Sequence, residues 1–236
     1  MKRRLKAGTL RSIARIFDGL DYAALGTIYC DKGGETFWRD RRGPCKQLGI
    51  RLAEVLRGRL RPNGRSLYVG AGVAEIPVLV METIELGRSV AAYNLRAEEV
   101  SVLNAALTGL SLKFTSGHAQ SAGGSFDHLW IASVLNDPER FPQVSALSYG
   151  RANPVTFDPT TFARERRAVI RLAASCLKKL SRPGLVTTSV EEIPWITDWC
   201  ARRGVGCVVE PENYPTAIVG DPICYIRVGK GRGNTR

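Results

Sequence analysis

An α/β fold with a mostly parallel, seven-stranded sheet is predicted by three features of the sequence. From residue 66 onward, apolar runs of strand length alternate with segments of helical period. The first run ends in a glycine pair, Gly70-x-Gly72, that opens directly onto a helical pattern. The last two runs have no room for a helix between them, so they pair antiparallel and end the sheet in a C-terminal hairpin. Ahead of this array, residues 1–62 read as a basic helical extension. Residues 63–230 form the α/β domain, and 231–236 a short basic tail.

In chain order, residues 9–17 (TLRSIARIF) place Leu10, Ile13, Ala14 and Phe17 on one helical face, with Thr9 as a cap. Gly33-Gly34 and Gly43-Pro44 break the period, and residues 45–60 resume it through Leu48, Leu52, Val55 and Leu56. The array then runs strand 66–70, helix 74–86, strand 89–94, helix 96–107, strand 112–117 and strand 126–132. Residues 133–159 read as irregular. A helix over 160–180, strand 184–190, a helix over 193–203 and strands 206–210 and 223–229 complete the chain, with PENYPT (211–216) as a plain connection. Strands and helices at this spacing imply right-handed crossovers.

At 236 residues the chain is long enough to bury a core without staples. No apolar stretch approaches the roughly 20 residues of a membrane-spanning helix, and the N-terminus lacks a signal peptide's apolar centre. The expected location is the cytoplasm, the basic N-terminus alternatively serving as a mitochondrial presequence or membrane-surface helix. Six cysteines without a C-x-x-C pair read as buried thiols, and with only two histidines, His118 and His128, no metal site is expected. The net charge of +12 is concentrated early, because residues 1–65 hold 16 of the 34 Lys/Arg and 6 of the 22 Asp/Glu. Such a field suits an anionic partner such as RNA, or simply a solvated face.

A glycine turn at the carboxyl end of the first strand lies where parallel sheets form a ligand crevice, and the helix after it offers free amides and a positive dipole end. Two cofactor classes use that crevice, nicotinamide dinucleotides and S-adenosylmethionine. The dinucleotide fingerprint wants Gly or Ala three residues after the second glycine, where this chain has Glu75. An NADP-dependent reductase remains an alternative, with Asn94 and Arg96 at the 2′-phosphate, although no Tyr-x-x-x-Lys pair accompanies them.

LYVGAGVAE, AAYNLRAEEVSVLN, SGHAQSAGGSFDHLWIAS and LSRPGLVTTSVEE, with the C-terminal hairpin, resemble the class I, Rossmann-like S-adenosylmethionine-dependent methyltransferases over about residues 60–230. The resemblance implies that Val69, Gly70, Ala71 and Gly72 lie against the methionine part of the cofactor, the turn's amides facing its carboxylate. It places Asn94 and Leu95 at the ribose, His118 and Ala119 beside the adenine, and Ser133 with Val134 under the transferring methyl. Three positions where the family usually has acids carry Tyr68, Asn94 and His118 instead. Glu75, Asp31 or Glu35 are the candidate replacements.

The methyl acceptor, a small molecule or RNA, would enter above the carboxyl edge of the strands. Methyl transfer needs a general base only when the acceptor must lose a proton. Candidate catalytic residues are Asn136, Asp137 and Tyr149. Asn136-Asp137-Pro138 resembles the Asn/Asp-Pro-Pro-aromatic motif of amino-group methyltransferases without its second proline and aromatic, and it equally reads as a turn. Trp38, Arg39 and Arg151 are candidate acceptor contacts, Trp38 alternatively being a buried packing residue. No cysteine has a histidine near it in sequence, so covalent thiol catalysis is not expected. A non-catalytic binding module on the same fold is the other alternative.

Overall fold

The structure, a computed structural model, describes residues 4–30, 33–216 and 221–229. The expected tail, 231–236, lies outside them. Seven strands form one sheet in the order β3-β2-β1-β4-β5-β7-β6: β1 (Arg65–Val69), β2 (Ser89–Asn94), β3 (Phe114–Ser116), β4 (Phe126–Ile131), β5 (Leu180–Ser189), β6 (Cys207–Tyr214) and β7 (Ile223–Val228). β1 runs parallel to β2, β2 to β3 and β4 to β5, while β7 is antiparallel to both β5 and β6. The predicted hairpin is therefore present, with β7 inserted between β5 and β6. By packing, the described chain divides into residues 4–122 with 216, and residues 123–215 with 221–229.

In the N-terminal unit, α1 (Ala7–Asp18) buries Ile13, Ile16 and Phe17. Thr9 is not its cap. The helix starts at Ala7 with Lys6 in the cap position, three residues before Thr9, and Thr9 is buried in its first turn. The long helix α4 (Arg42–Arg57) packs on α5 (Ile76–Ile84) through Gly49, where a Cβ would come within 2.5 Å of Pro77. Tyr68, read as a replaced cofactor acid, faces inward and donates its hydroxyl to Glu82 at 2.5 Å, beside the buried Arg88–Glu82 ion pair. Its ring and hydroxyl complete a core network.

Two short helices break the expected loop before α4. The first, α2 (Tyr22–Tyr29), is capped by Asp21, whose carboxylate accepts from the Ala24 amide at 2.9 Å, and the second is α3 (Gly34–Phe37). YAALGTIY is apolar all round, so it shows no amphipathic period to read. What holds the two helices is contact between Gly26 and Gly34: a Cβ on Gly26 would sit 1.7 Å from the Gly34 carbonyl oxygen. Gly26→Ala is therefore expected to cost about 1–3 kcal/mol by overpacking. Thermal unfolding checks this, and an unchanged Tm would contradict the close approach.

In the C-terminal unit the core lies between β4, β5 and β7 and the helices α8 (Pro159–Leu177) and α9 (Ile193–Ala201). The stretch expected to be irregular contains α7 (Pro142–Ser148). Its first amides, Gln143 and Val144, donate to the buried Glu165 carboxylate of α8 at 2.9 and 3.0 Å, a cap supplied from 21 residues further along the chain. PENYPT is also corrected, since its first four residues extend β6. The register shifts between Val209 and Asn213, and Pro211 is tolerated there because β6 is an edge strand.

Candidate functional site

The glycine turn closes β1 with two different demands on its glycines. Gly70 has φ +71°, a left-handed conformation that favours glycine. Gly72 is extended, with φ −138°, so its need is for space instead: a Cβ there would lie 2.8 Å from Glu99 Oε1 and 3.6 Å from the Tyr29 hydroxyl. The 3₁₀ turn Val73–Glu75 follows, and the Gly72 amide donates to Glu75 Oε2 at 2.8 Å. The Ala71 amide donates to the Tyr93 carbonyl at 3.0 Å. Two amides expected to face a ligand carboxylate are thus engaged inside the protein.

Asn94 ends β2 in the same way. Its Nδ2 donates to the Ala71 carbonyl at 2.8 Å, its Oδ1 accepts from the Arg96 amide at 2.9 Å, and its carbonyl accepts from Gly117 at 2.9 Å. These bonds tie together the ends of β1, β2 and β3. Val69 and Ala119 are buried, while Leu95 and His118 are exposed.

Two carboxylates lie beside the Gly72 position, those of Glu75 and of Glu99 in the first turn of α6 (Ala97–Ala106). Glu99 is 2% exposed, and burial holds its pKa above the usual carboxylate range despite donors from Tyr29 and Asn94 and the nearby Arg96. The Tyr29 hydroxyl donates to Glu99 Oε1 at 2.5 Å, and burial beside Glu99 pushes its own pKa up. The Tyr29 ring stacks on Phe37, with centroids 5.6 Å apart, and carries the Arg96 guanidinium at 5.2 Å. Trp38 packs within this aromatic group against Tyr22, Tyr29 and Phe37; at 3% exposure it is a core residue, not a surface contact for an acceptor. Arg39 is exposed. Asp31 lies outside the described residues, as does the Glu35 side chain.

In the C-terminal unit, the loop after β4 is organised by Glu192, which follows β5 and is fully buried. Its Oε1 accepts from the amides of Val134, at 2.6 Å, and Leu135; its Oε2 accepts from the Ser133 amide at 3.1 Å and the Thr188 hydroxyl at 2.9 Å. Three successive amides curl around one carboxylate, with Ser133 in the left-handed region at φ +56°. The Ser133 hydroxyl donates to buried Asp221 at 3.3 Å, and the Tyr149 hydroxyl donates to the same oxygen. Asn136, expected as a catalytic candidate, is 1% exposed with both ends of its amide engaged, donating to the Glu191 carbonyl and accepting from Trp195. Asp137 accepts from the Glu139 amide and shapes a turn. Exposed Arg151 lies over the Tyr149 ring.

No group of metal-ligating side chains occurs among the described residues. Burial pushes the thiol of Cys176 to about 11 and those of Cys45 and Cys224 to about 12, so none is a thiolate near neutral pH.

Among solved structures, magnesium protoporphyrin IX methyltransferase from Synechocystis PCC 6803, with bound SAM, aligns with a TM-score of 0.54 at 14% identity, over 97% of this chain and 100% of that one. A methyltransferase from Pyrococcus furiosus aligns at 0.51 and 13% identity over 77% and 83%. P. horikoshii TYW2 in complex with MeSAdo aligns at 0.51 and 9% identity over 80% and 64%. The chain has the class I methyltransferase fold. No protein-family model and no curated protein matches it. On this methyltransferase fold, sequence reasoning located the glycine turn and Glu75 but missed Tyr29, Glu99, Glu192 and Asp221. Only Glu99 carried a signal, as a buried acid at an apolar position of a helix.

Proposed function

We propose that the protein is a cytoplasmic S-adenosylmethionine-dependent methyltransferase acting on a small-molecule or RNA acceptor. The observation that carries this reading is the turn Gly70-Ala71-Gly72, closing the first parallel strand with two carboxylates, Glu75 and Glu99, beside its side-chain-free position. S-adenosylmethionine brings two positive charges, a sulfonium and an ammonium, so this donor set fits it. Gly70, with Val69 and Ala71, would present main chain to the methionine part. Asn94 and Leu95 at the end of β2, and His118 and Ala119 after β3, would border the nucleoside. When bound, the cofactor supplies a methyl group activated by its sulfonium. No helix among the described residues is long and apolar enough to cross a membrane.

The same charges weigh against the reductase alternative. A dinucleotide pyrophosphate at this turn would meet two carboxylates and find the Gly72 amide already engaged. Calorimetric titration with S-adenosylmethionine, S-adenosylhomocysteine and NADPH tests the proposal. Micromolar affinity for the first two and none for NADPH is expected. A folded protein that binds neither sulfur ligand at millimolar concentration would refute it.

A further inference from the structure

We infer that the C-terminal unit carries a small second site, between α8 and the end of α9, that holds an aromatic carboxylate. The inference is independent of the cofactor reading above, because none of the residues lining this site belongs to the glycine turn or to the ends of β2 and β3.

A cavity of about 180 Å³ opens there. Its apolar walls are Ile170 and Ala174, one turn apart on α8, and Trp195 and Trp199, one turn apart on α9. Residues at that spacing share a helix face, so each helix presents an aligned pair. An apolar cavity of roughly 150 Å³ accommodates benzene, so this one admits one benzene-sized ring with a short substituent. The two indoles differ in their hydrogen bonding. Trp195 donates its N–H to Asn136 Oδ1 at 2.9 Å. Trp199 is 5% exposed, and its N–H has no acceptor among the described residues, a deficit that a ligand oxygen would remove.

Positive charge stands beside the same indole. The guanidinium of Arg203, which lines the cavity, lies 4.7 Å from the Trp199 ring centroid, and that of Arg182 lies 5.6 Å from it. Both arginines are exposed, and neither forms an ion pair among the described residues. Helix capping does not use them either: the Asp198, Cys200 and Ala201 carbonyls that end α9 accept from the backbone amides of Arg202, Arg203, Gly204 and Val205. The one acid at the cavity, Asp198, is matched by Arg202 at 2.9 Å, so that pair adds no net charge. Arg203 is therefore available to an anion, and its planar fork matches a carboxylate. A ring against Ile170, Ala174 and Trp195 would fill the walls. A neutral ring would leave Arg203 unused, and a cation would be repelled.

The test titrates the full chain with 4-fluorobenzoate, 4-fluorobenzyl alcohol and 4-fluorobenzylamine at fixed ionic strength, reading the ligand by fluorine NMR and the protein by its nitrogen-15 indole signals. Wild type, Arg203→Gln, Trp199→Phe and, as a surface control on α8, Arg164→Gln are compared, with folding verified by thermal unfolding. The Trp199 indole signal, assigned by its loss in Trp199→Phe, should move saturably with 4-fluorobenzoate at a Kd below about 1 mM, with the alcohol at least about tenfold weaker and the amine not bound. Arg203→Gln should weaken the carboxylate by about tenfold without weakening the alcohol, and Trp199→Phe should weaken the carboxylate by about threefold or more. Arg164→Gln should change nothing. Arg203 is exposed, so its variant decides the matter even where Trp199→Phe lowers stability. An indole signal unmoved at about 10 mM 4-fluorobenzoate would overturn the inference. So would equal affinity for the alcohol, which marks an apolar cleft only, or unchanged carboxylate affinity in Arg203→Gln.

Discussion

Glu192→Ala is expected to lower the stability of the protein by at least about 3 kcal/mol. The side chain is fully buried and serves four donors, the amides of Ser133, Val134 and Leu135 and the hydroxyl of Thr188. Alanine leaves the Val134 and Leu135 amides and the Thr188 hydroxyl without this acceptor, the Ser133 amide keeping only its longer contact to the Ser189 hydroxyl at 3.4 Å, and each unsatisfied group costs about 1–3 kcal/mol. For a chain of this length that corresponds to a fall in Tm of roughly 6–12 °C. Glu192→Gln should cost less, because its oxygen still accepts from Val134 and Leu135 while its amide nitrogen meets the Ser133 N–H donor to donor. Calorimetric melting of both variants checks the order; a Tm within error of wild type for the alanine variant would contradict the clasp.

The pH dependence of that effect has a definite sign. Burial raises the folded-state pKa of Glu192 above its unfolded value. Between those two values the folded protein binds the extra proton, so the contribution of this group is greatest on the acid side and declines as pH rises through the folded pKa. Glu192→Gln removes that decline, which a Tm series against pH would show as a flatter profile.

The second large effect is on binding. Gly72→Arg is expected to abolish detectable S-adenosylmethionine binding while leaving the fold intact. A side chain at 72 projects toward Glu99, 2.8 Å from its Cβ, and toward Glu75, so the guanidinium enters the space proposed for the ligand and brings its own positive charge to the two carboxylates. The φ of −138° is not left-handed, and the close approach is to the far end of the Glu99 side chain, which must shift to admit the new residue. Gly72→Ala should retain the fold and weaken binding less. Titration at matched, verified folding decides the matter, and wild-type affinity in Gly72→Arg would remove the turn from the ligand site.

Much of the architecture is legible in the chain because it rests on short-range pattern. Strands β1, β2 and β4 are apolar runs bounded by turns, α1 and α8 have clear helical period, and the short link between β6 and β7 excludes a crossover helix. Local order of this kind depends on neighbours within a few residues. Elements whose stabilising partner is distant are not legible in that way. Helix α2 has no amphipathic stripe and is held by the Gly26–Gly34 contact, α7 is capped by Glu165 of another helix, and β6 runs through Pro211 only because it is an edge strand.

The candidate site divides along the same line. By itself the sequence determined the alternating sheet, the glycine turn at the end of β1 and the neutral residues Tyr68, Asn94 and His118 at the customary acidic positions. Only the tertiary structure decided where negative charge is found. It turns Tyr68 into the core toward Glu82, engages Asn94 with the Ala71 carbonyl, the Arg96 amide and Glu99, and brings Glu99 to Gly72 under the Tyr29 hydroxyl, a contact 70 residues apart in sequence. The physical reason is that a carboxylate acts through distance and burial, and neither is a property of its position in the chain.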